Sequence, residues 1–293
     1  MNISRRSALG HMGALLGSAS FMGMTKGIKK ADKILEESGL KGRINHSVCR
    51  WPYNSIPLED FCRAAKEIGI TSVELVGPEE WPVLKQYDLY CAMPWGAGLG
   101  LERGFNNPEL HDELVDSYER VIPLVAEAGF KQIICFSGNR EGRDDETGIK
   151  NCETGIKRLL NTAEEHDVII CMEPLNSRID HPDYHCDNTE WGVKLADKLG
   201  SDHFKLLYDI YHMQIMEGDV IRTIRTYHEY ISHYHTGGVP GRNELDENQE
   251  LYYPAIMRAI ADTGYQGYVG QEFIPTWDDP LQALEHGVSV CDV

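Results

Sequence analysis

The sequence predicts a (β/α)8 barrel, and three observations carry the prediction. The chain has 293 residues, enough for the roughly 250 that such a barrel takes, with some to spare. From residue 43 onward, eight apolar runs of strand length recur, most of them separated by amphipathic segments with helical spacing. No G-x-G-x-x-G fingerprint follows the first run, which leaves the open doubly wound sheet as the runner-up architecture.

In chain order the elements read as follows. "MNISRRSALGHMGALLGSASFMGM" pairs Arg5 and Arg6 after Ser4, then runs into a weakly apolar Gly/Ala/Leu/Met stretch. That is the pattern of a twin-arginine export signal, against an ordinary leader with a chance arginine pair. The Lys- and Glu-rich stretch that follows reads as a linker or short leading helix, so residues 1–42 are set apart from a barrel over residues 43–293. The strand candidates are "INHSVCRW", "TSVELVG", "LYCAMPW", "KQIICFSG", "DVIICMEP", "FKLLYDI", "ISHYHTGG" and "GYVGQEF". Between the first two, Leu58, Phe61, Cys62, Ala65 and Ile68 recur at helical spacing and Gly69 stops the helix. Ile149, Cys152, Ile156, Leu159 and Ala163 repeat the pattern, and "LVDSYERVIPLVAEAGF" does so with a kink expected at Pro123.

Composition narrows the function classes. Hydrophobic residues make up 42% and charged residues 25% of the chain, as in globular proteins. Twenty-eight basic residues against 46 acidic ones give a formal net charge of −18, which argues against nucleic acid and anionic membranes as partners. No apolar run reaches the 18 residues that a membrane span needs. Of the eight cysteines, Cys49, Cys91, Cys135 and Cys171 fall inside strand runs, where free thiols behave as small apolar side chains. No CxxC spacing or disulfide framework is visible.

The strand ends carry the chemistry. The fifth run closes on Glu173, the sixth on Asp209, the seventh on His235 and the eighth on Glu272; these lie 36, 26 and 37 residues apart, about one βα unit each. In a barrel that spacing brings two glutamates, an aspartate and a histidine to one rim, the rim where barrel enzymes do their chemistry. Each alone reads equally as a surface acid or cap. Four in register at consecutive strand ends read as a metal site, since buried carboxylates without a partner are costly. The donor set suits one divalent ion, Mn²⁺, Mg²⁺ or Co²⁺, with Zn²⁺ also admitted. Alternation puts His233 on the same side as His235 but one layer deeper.

The segments "MEPLNSRIDHPDY", "LLYDIYHMQIMEGD", "HYHTGGVPGR" and "YQGYVGQEF" give the chain its resemblance to a known family. It resembles the sugar isomerases and epimerases of the xylose isomerase-like barrel superfamily, and within it the hydroxypyruvate isomerase family, over residues 43–293. The resemblance implies that a divalent ion chelates the carbonyl and hydroxyl oxygens of a small α-hydroxy carbonyl compound or keto-sugar. It implies a cis-enediolate, with Glu173 and Glu272 as the catalytic groups that take and return the proton from opposite faces. The third metal position here is a histidine of an HxH element, as in related ketose 3-epimerases, whereas some hydroxypyruvate isomerases carry glutamine. Ketose 3-epimerase or 3-keto-sugar isomerase activity is the alternative.

Other positions take a reading beside these. His212 follows Asp209 by three residues and reads as a substrate ligand or a loop histidine. Arg242, in "GGVPGR", reads as a substrate-binding group on a closing loop or a surface arginine. Trp51, Trp95 and Phe136 read as an apolar wall or barrel core, and Glu74 as a pocket residue or a structural ion pair. Two further classes stay in view, an endonuclease IV-like phosphodiesterase with a zinc cluster and a barrel that only binds carbohydrate. The family implies a homodimer or homotetramer, and the export signal implies a periplasmic location.

Overall fold

The computed structural model describes residues 39–293, so the expected signal in residues 1–24 and nearly all of the expected linker lie outside the described residues. Leu40–Val293 forms one compact unit. Seven strands build its sheet: β1 (Asn45–Cys49), β2 (Ser72–Glu74), β3 (Gln132–Cys135), β4 (Ile169–Met172), β5 (Phe204–Asp209), β6 (Ile231–Thr236) and β7 (Tyr268–Gln271). Their order is β2-β1-β7-β6-β5-β4-β3, and every pairing is parallel. Parallel strands buried on both faces explain why the runs read as continuous Val, Ile, Leu and Cys, without polar alternation.

The eighth expected strand, "LYCAMPW", closes the ring without becoming a regular strand. Tyr90 makes an isolated bridge to Ser72. Tyr90 N donates to Thr71 O, Val73 N to Tyr90 O, Leu75 N to Met93 O and Trp95 N to Val76 O, so residues 90–95 follow β2. The ladder is interrupted because Ala92 N is taken by the Ser72 side chain and Pro94 has no N–H to give. On the other flank, Ile134 N reaches Pro94 O at 3.4 Å.

The helices follow their sequence signals. Helix α1 (Leu58–Ile68) buries Phe61, Cys62 and Ala65 and ends at Gly69, whose φ of 95° is the left-handed cap that glycine adopts at no steric cost. After a short α2 (Trp81–Gln86), α3 (His111–Glu127) runs on through Pro123, which lies on its less buried side. Helix α4 (Asp145–His166) starts at Asp144, whose side chain accepts from Thr147 N, and buries the five apolar positions that the sequence singled out. Helices α5 (Thr189–Leu199), α6 (Ile210–Met216), α7 (Val220–Tyr227), α8 (Tyr253–Asp262) and α9 (Pro280–Cys291) complete the outer layer. All eight cysteines are buried and free. No helix among the described residues is long and apolar enough to cross a membrane.

Candidate active site

Glu173 stands one residue past β4, Asp209 ends β5, His235 is the penultimate residue of β6 and Glu272 stands one residue past β7. The strand register places Asp209 beside His235, and His235 beside Gly270, two residues before Glu272. Each of the four offers a ligand atom, all within 4.8 Å of one another, and all four side chains are buried. His235 turns Nδ1 toward the carboxylates, 2.7 Å from Glu272 Oε2 and 3.5 Å from Glu173 Oε1. Asp209 doubles as the cap of α6, its Oδ1 accepting from Tyr211 N at 2.8 Å, which leaves Oδ2 turned to the cluster.

Arg242 completes the group. Its Nη2 lies 3.0 Å from Asp209 Oδ2 and 2.6 Å from Glu272 Oε2. Its guanidinium faces the rings of Trp51 and Tyr211 at 5.4 and 5.3 Å. The loop that delivers it is tied down. Tyr253 OH bonds both N and O of Gly237, and Gly238 N bonds Asn243 O. A Cβ at Gly238 would collide with Glu244 O, so the loop needs glycine there. Trp51 Nε1 donates to Glu272 Oε1 at 2.9 Å and fixes the rotation of that carboxylate.

The two glutamates differ in acidity. Burial raises Glu173, and Glu272 beside it adds to the rise. Burial also opposes ionisation of Glu272, but Arg242 and His235 outweigh it and hold that carboxyl well below the usual range. Burial pushes Asp209 up to about 7, with Arg242 pulling the other way. Burial works against a charged His235, yet the neighbouring negative groups raise it well above its ordinary value. Three carboxylates against one guanidinium leave an excess of negative charge of the size that one divalent ion carries. His235 Nδ1 lies 2.7 Å from Glu272 Oε2 and 3.5 Å from Glu173 Oε1, yet neither Nδ1 nor Glu173 Oε1 makes an aligned hydrogen bond, as expected of buried atoms that would converge on a cation. The residues present therefore fit the ion that the donor types call for.

Beneath this cluster lies a second buried group. His233 Nε2 is 2.8 Å from Glu74 Oε2, and the other Glu74 oxygen is 3.8 Å from His235 Nε2, with Cys49 Sγ 3.7 Å from the same nitrogen. Glu74 thus sits against His233 beneath the floor and is not part of the pocket wall. Gly270 makes room for it, since a Cβ there would collide with Glu74 Oε1.

A cavity of about 400 Å³ opens above Glu173 and Glu272. His212 and Arg242 line it as the sequence suggested, and Trp51, Trp95 and Phe136 line it together with Leu75, Leu101 and Ile134. The reading of His212 as a loop histidine in solvent does not hold, for it is fully buried. Sequence reasoning missed His181, which also lines the cavity, its ring centroid 5.3 Å from that of His212. It missed Asn176, which bonds His212. Both sit in the loop after β4, where no periodicity marks a residue. Their one signal is their place within twelve residues of a strand-end glutamate.

A profile of xylose isomerase-like TIM barrels matches residues 49–291. The chain belongs to this family. Among its relatives within the xylose isomerase-like barrels, the 2-oxo-tetronate isomerase of Cupriavidus necator is 35% identical over 239 residues, 76% of this chain and 89% of the relative. The hydroxypyruvate isomerase of Escherichia coli is 30% identical over 198 residues, 64% of this chain and 75% of that one. A crystal structure of an AP endonuclease, family 2, from Brucella melitensis superposes with a TM-score of 0.75 at 25% identity, covering 82% of this chain and 97% of that one. The chain is an enzyme of the isomerase class. Among the described residues, the groups able to hold a metal are the rim four and the trio Cys49, Glu74 and His235, which shares a member with them. That is a poor match to the multi-zinc cluster of a phosphodiesterase.

Proposed function

We propose that the protein moves a proton between the carbonyl-bearing carbon and its neighbour, or across one carbon, in a small α-hydroxy carbonyl compound. One observation carries the reading: Glu173 and Glu272, of opposite acidity shift, meet at the floor of a single cavity with Asp209 and His235 between them. A divalent ion held by Glu173, Asp209, His235 and Glu272 would supply Lewis-acid polarisation of the substrate's two oxygens. Glu272, held ionised by Arg242 and His235, takes the proton from carbon. Glu173, whose burial favours its protonated form, delivers one to the other carbon or the other face, and exchange with water restores the pair. The enediolate between the two transfers carries its negative charge on oxygens that His212 and Arg242 can reach with N–H donors. The apolar wall keeps bulk water off these groups and strengthens every electrostatic contact among them.

The substrate follows from the same wall. A keto acid such as those named for the relatives needs a free cationic partner. Arg242, the one lysine or arginine among the described residues that lines the cavity, is engaged by Asp209 and Glu272. That favours a second reading, a neutral keto-sugar that lays its carbon face on Trp51, Trp95 and Phe136. Export through a twin-arginine signal in residues 1–42, ahead of a barrel over residues 43–293, fits such a substrate, because free sugars are met outside the cytoplasm. A screen decides. Full-length protein reconstituted with Mg²⁺, Mn²⁺ or Co²⁺ is offered hydroxypyruvate, free ketoses and 3-keto-sugars in D2O, and deuterium is sought at the substrate carbon. Uptake with one of these supports the proposal; metal-loaded protein that labels none of them overturns it.

A further inference from the structure

The geometry points to Asn176 as a positioning residue that fixes His212 as the neutral Nε2–H tautomer, leaving one N–H donor aimed into the cavity for a substrate oxygen. The inference rests on the function proposed above only for what that donor meets.

The orientation of the Asn176 side chain is settled by its surroundings. Its Oδ1 accepts from the main-chain N–H groups of Ile179 and Asp180, at 3.1 and 3.0 Å. The Nδ2 end therefore faces the other way, where it lies 2.7 Å from Asp180 Oδ2 and 2.7 Å from His212 Nδ1. Asp180 is held in turn by Tyr211 OH at 2.7 Å. Asn176 is fully buried, so no water competes for these bonds. The main-chain N–H of Asn176 also donates to His212 Nδ1, at 3.3 Å.

Two N–H donors of one residue thus converge on one ring nitrogen. A main-chain N–H can only donate, so Nδ1 must present its lone pair, and the ring hydrogen of the neutral imidazole sits on Nε2. Protonating Nδ1 would set a third hydrogen against these two.

The free end has no partner of its own. His212 Nε2 is buried and makes no hydrogen bond. Its nearest carboxylate oxygen, Asp209 Oδ2, is 3.6 Å away, beyond hydrogen-bond range. The residue lines the cavity beside Glu173 and Glu272. A buried donor left unpaired is costly, and such a group is explained when a ligand takes the bond. A neutral imidazole N–H is a poor proton donor but a good hydrogen-bond donor. It can stabilise a developing enediolate oxygen without giving up its proton, which leaves proton transfer to the glutamates.

The test is the tautomer itself. The full chain, loaded with Mg²⁺ and carrying ¹⁵N-labelled histidine, is read by long-range ¹H–¹⁵N correlation, with His212→Gln used to assign the signal. The expected pattern is an unprotonated Nδ1 and a protonated Nε2. In Asn176→Asp the side chain accepts where it donated and opposes the main-chain N–H that remains, so the Nε2–H form should lose its exclusive hold and a fraction of His212 should carry the proton on Nδ1, with kcat falling several-fold and KM moving far less. A wild-type His212 protonated on Nδ1 overturns the inference. So does an Asn176→Asp protein whose tautomer and kcat stay those of the wild type. Should that variant not fold, the wild-type spectrum alone decides. Should no substrate in the screen be labelled while the expected tautomer is present, the proposed function fails and this inference stands.

Discussion

Strands β4 to β7 end on Glu173, Asp209, His235 and Glu272, whereas β1 to β3 and residues 90–95 bring Trp51, Leu75, Trp95, Ile134 and Phe136 to the same cavity. One arc of the rim is charged and internally paired; the other offers rings and methyl groups. Neither would suffice alone. The carboxylates would be solvated and ordinary without the wall, and the wall would be a passive apolar dent without the carboxylates. The division shows how one barrel can hold several acids in contact: the cost of burying them is offset by the guanidinium of Arg242 and by His235.

The sharpest way to break the charged arc is at its ends. Glu173→Gln and Glu272→Gln keep an oxygen ligand but cannot carry a proton, so turnover should fall by a factor on the order of 10² or more with metal retained. If either protein, metal bound, labels and converts substrate at the wild-type rate, the roles assigned to the pair are wrong. Removing a middle member acts on the ion first. Asp209→Ala and His235→Ala should weaken Mn²⁺ binding by calorimetry by at least about tenfold, with excess Mn²⁺ restoring part of the activity.

Acidity gives a finer handle on the same arc. Asp209, pushed up to about 7 by burial, and His235, raised well above its ordinary value by its negative neighbours against the effect of burial, take up protons in this pH range in the metal-free protein. Ligation requires those protons to leave. Metal affinity should therefore climb as pH rises from 6 to 8, by up to about tenfold per pH unit for each proton displaced. An affinity that is flat over that range would contradict the assigned directions.

Smaller effects probe where the arcs touch. Gly270→Ala places a Cβ against Glu74 under the charged floor. It should cost about 1–3 kcal/mol in urea unfolding, and a variant as stable as the wild type would show that the floor can yield. Trp51→Phe keeps the wall but removes the N–H that fixes Glu272. Turnover should drop roughly fivefold, the worth of about 1 kcal/mol, with KM little changed. A KM effect alone would make Trp51 purely a wall residue.

The legible parts of the molecule were those with a local cause. Strand runs showed because parallel strands are apolar on both faces, α1 and its end because Gly69 can take a left-handed cap, and the four rim residues because each closes an apolar run. What stayed hidden depended on contacts across the ring. Glu74 ends β2 just as Glu173 follows β4, yet it points down to His233, because Gly270, some two hundred residues on, leaves space for its carboxylate. Asn176 and His181 lie in a loop whose fold is set by hydrogen bonds to Asp180 and His212, and nothing in "NSRIDHPDY" ranks one polar residue above another. The irregularity of residues 90–95 was half visible in Pro94; the capture of Ala92 N by Ser72 was not.

That irregular stretch has a mechanical consequence. A hoop with one weak joint does not flex evenly, and here the joint between residues 90–95 and β3 is spanned by the Ile134-to-Pro94 bond, 3.4 Å long. Thermal opening should concentrate there. The main-chain amides flanking the joint should take up deuterium well before those where β5 and β6 pair, Leu207–Asp209 against His233–His235. The joint falls within the arc of rings and methyl groups, away from Glu173, Asp209, His235 and Glu272. Opening there would part the rings of Trp95 and Phe136, whose centroids lie 5.6 Å apart, while the charged side keeps its spacing.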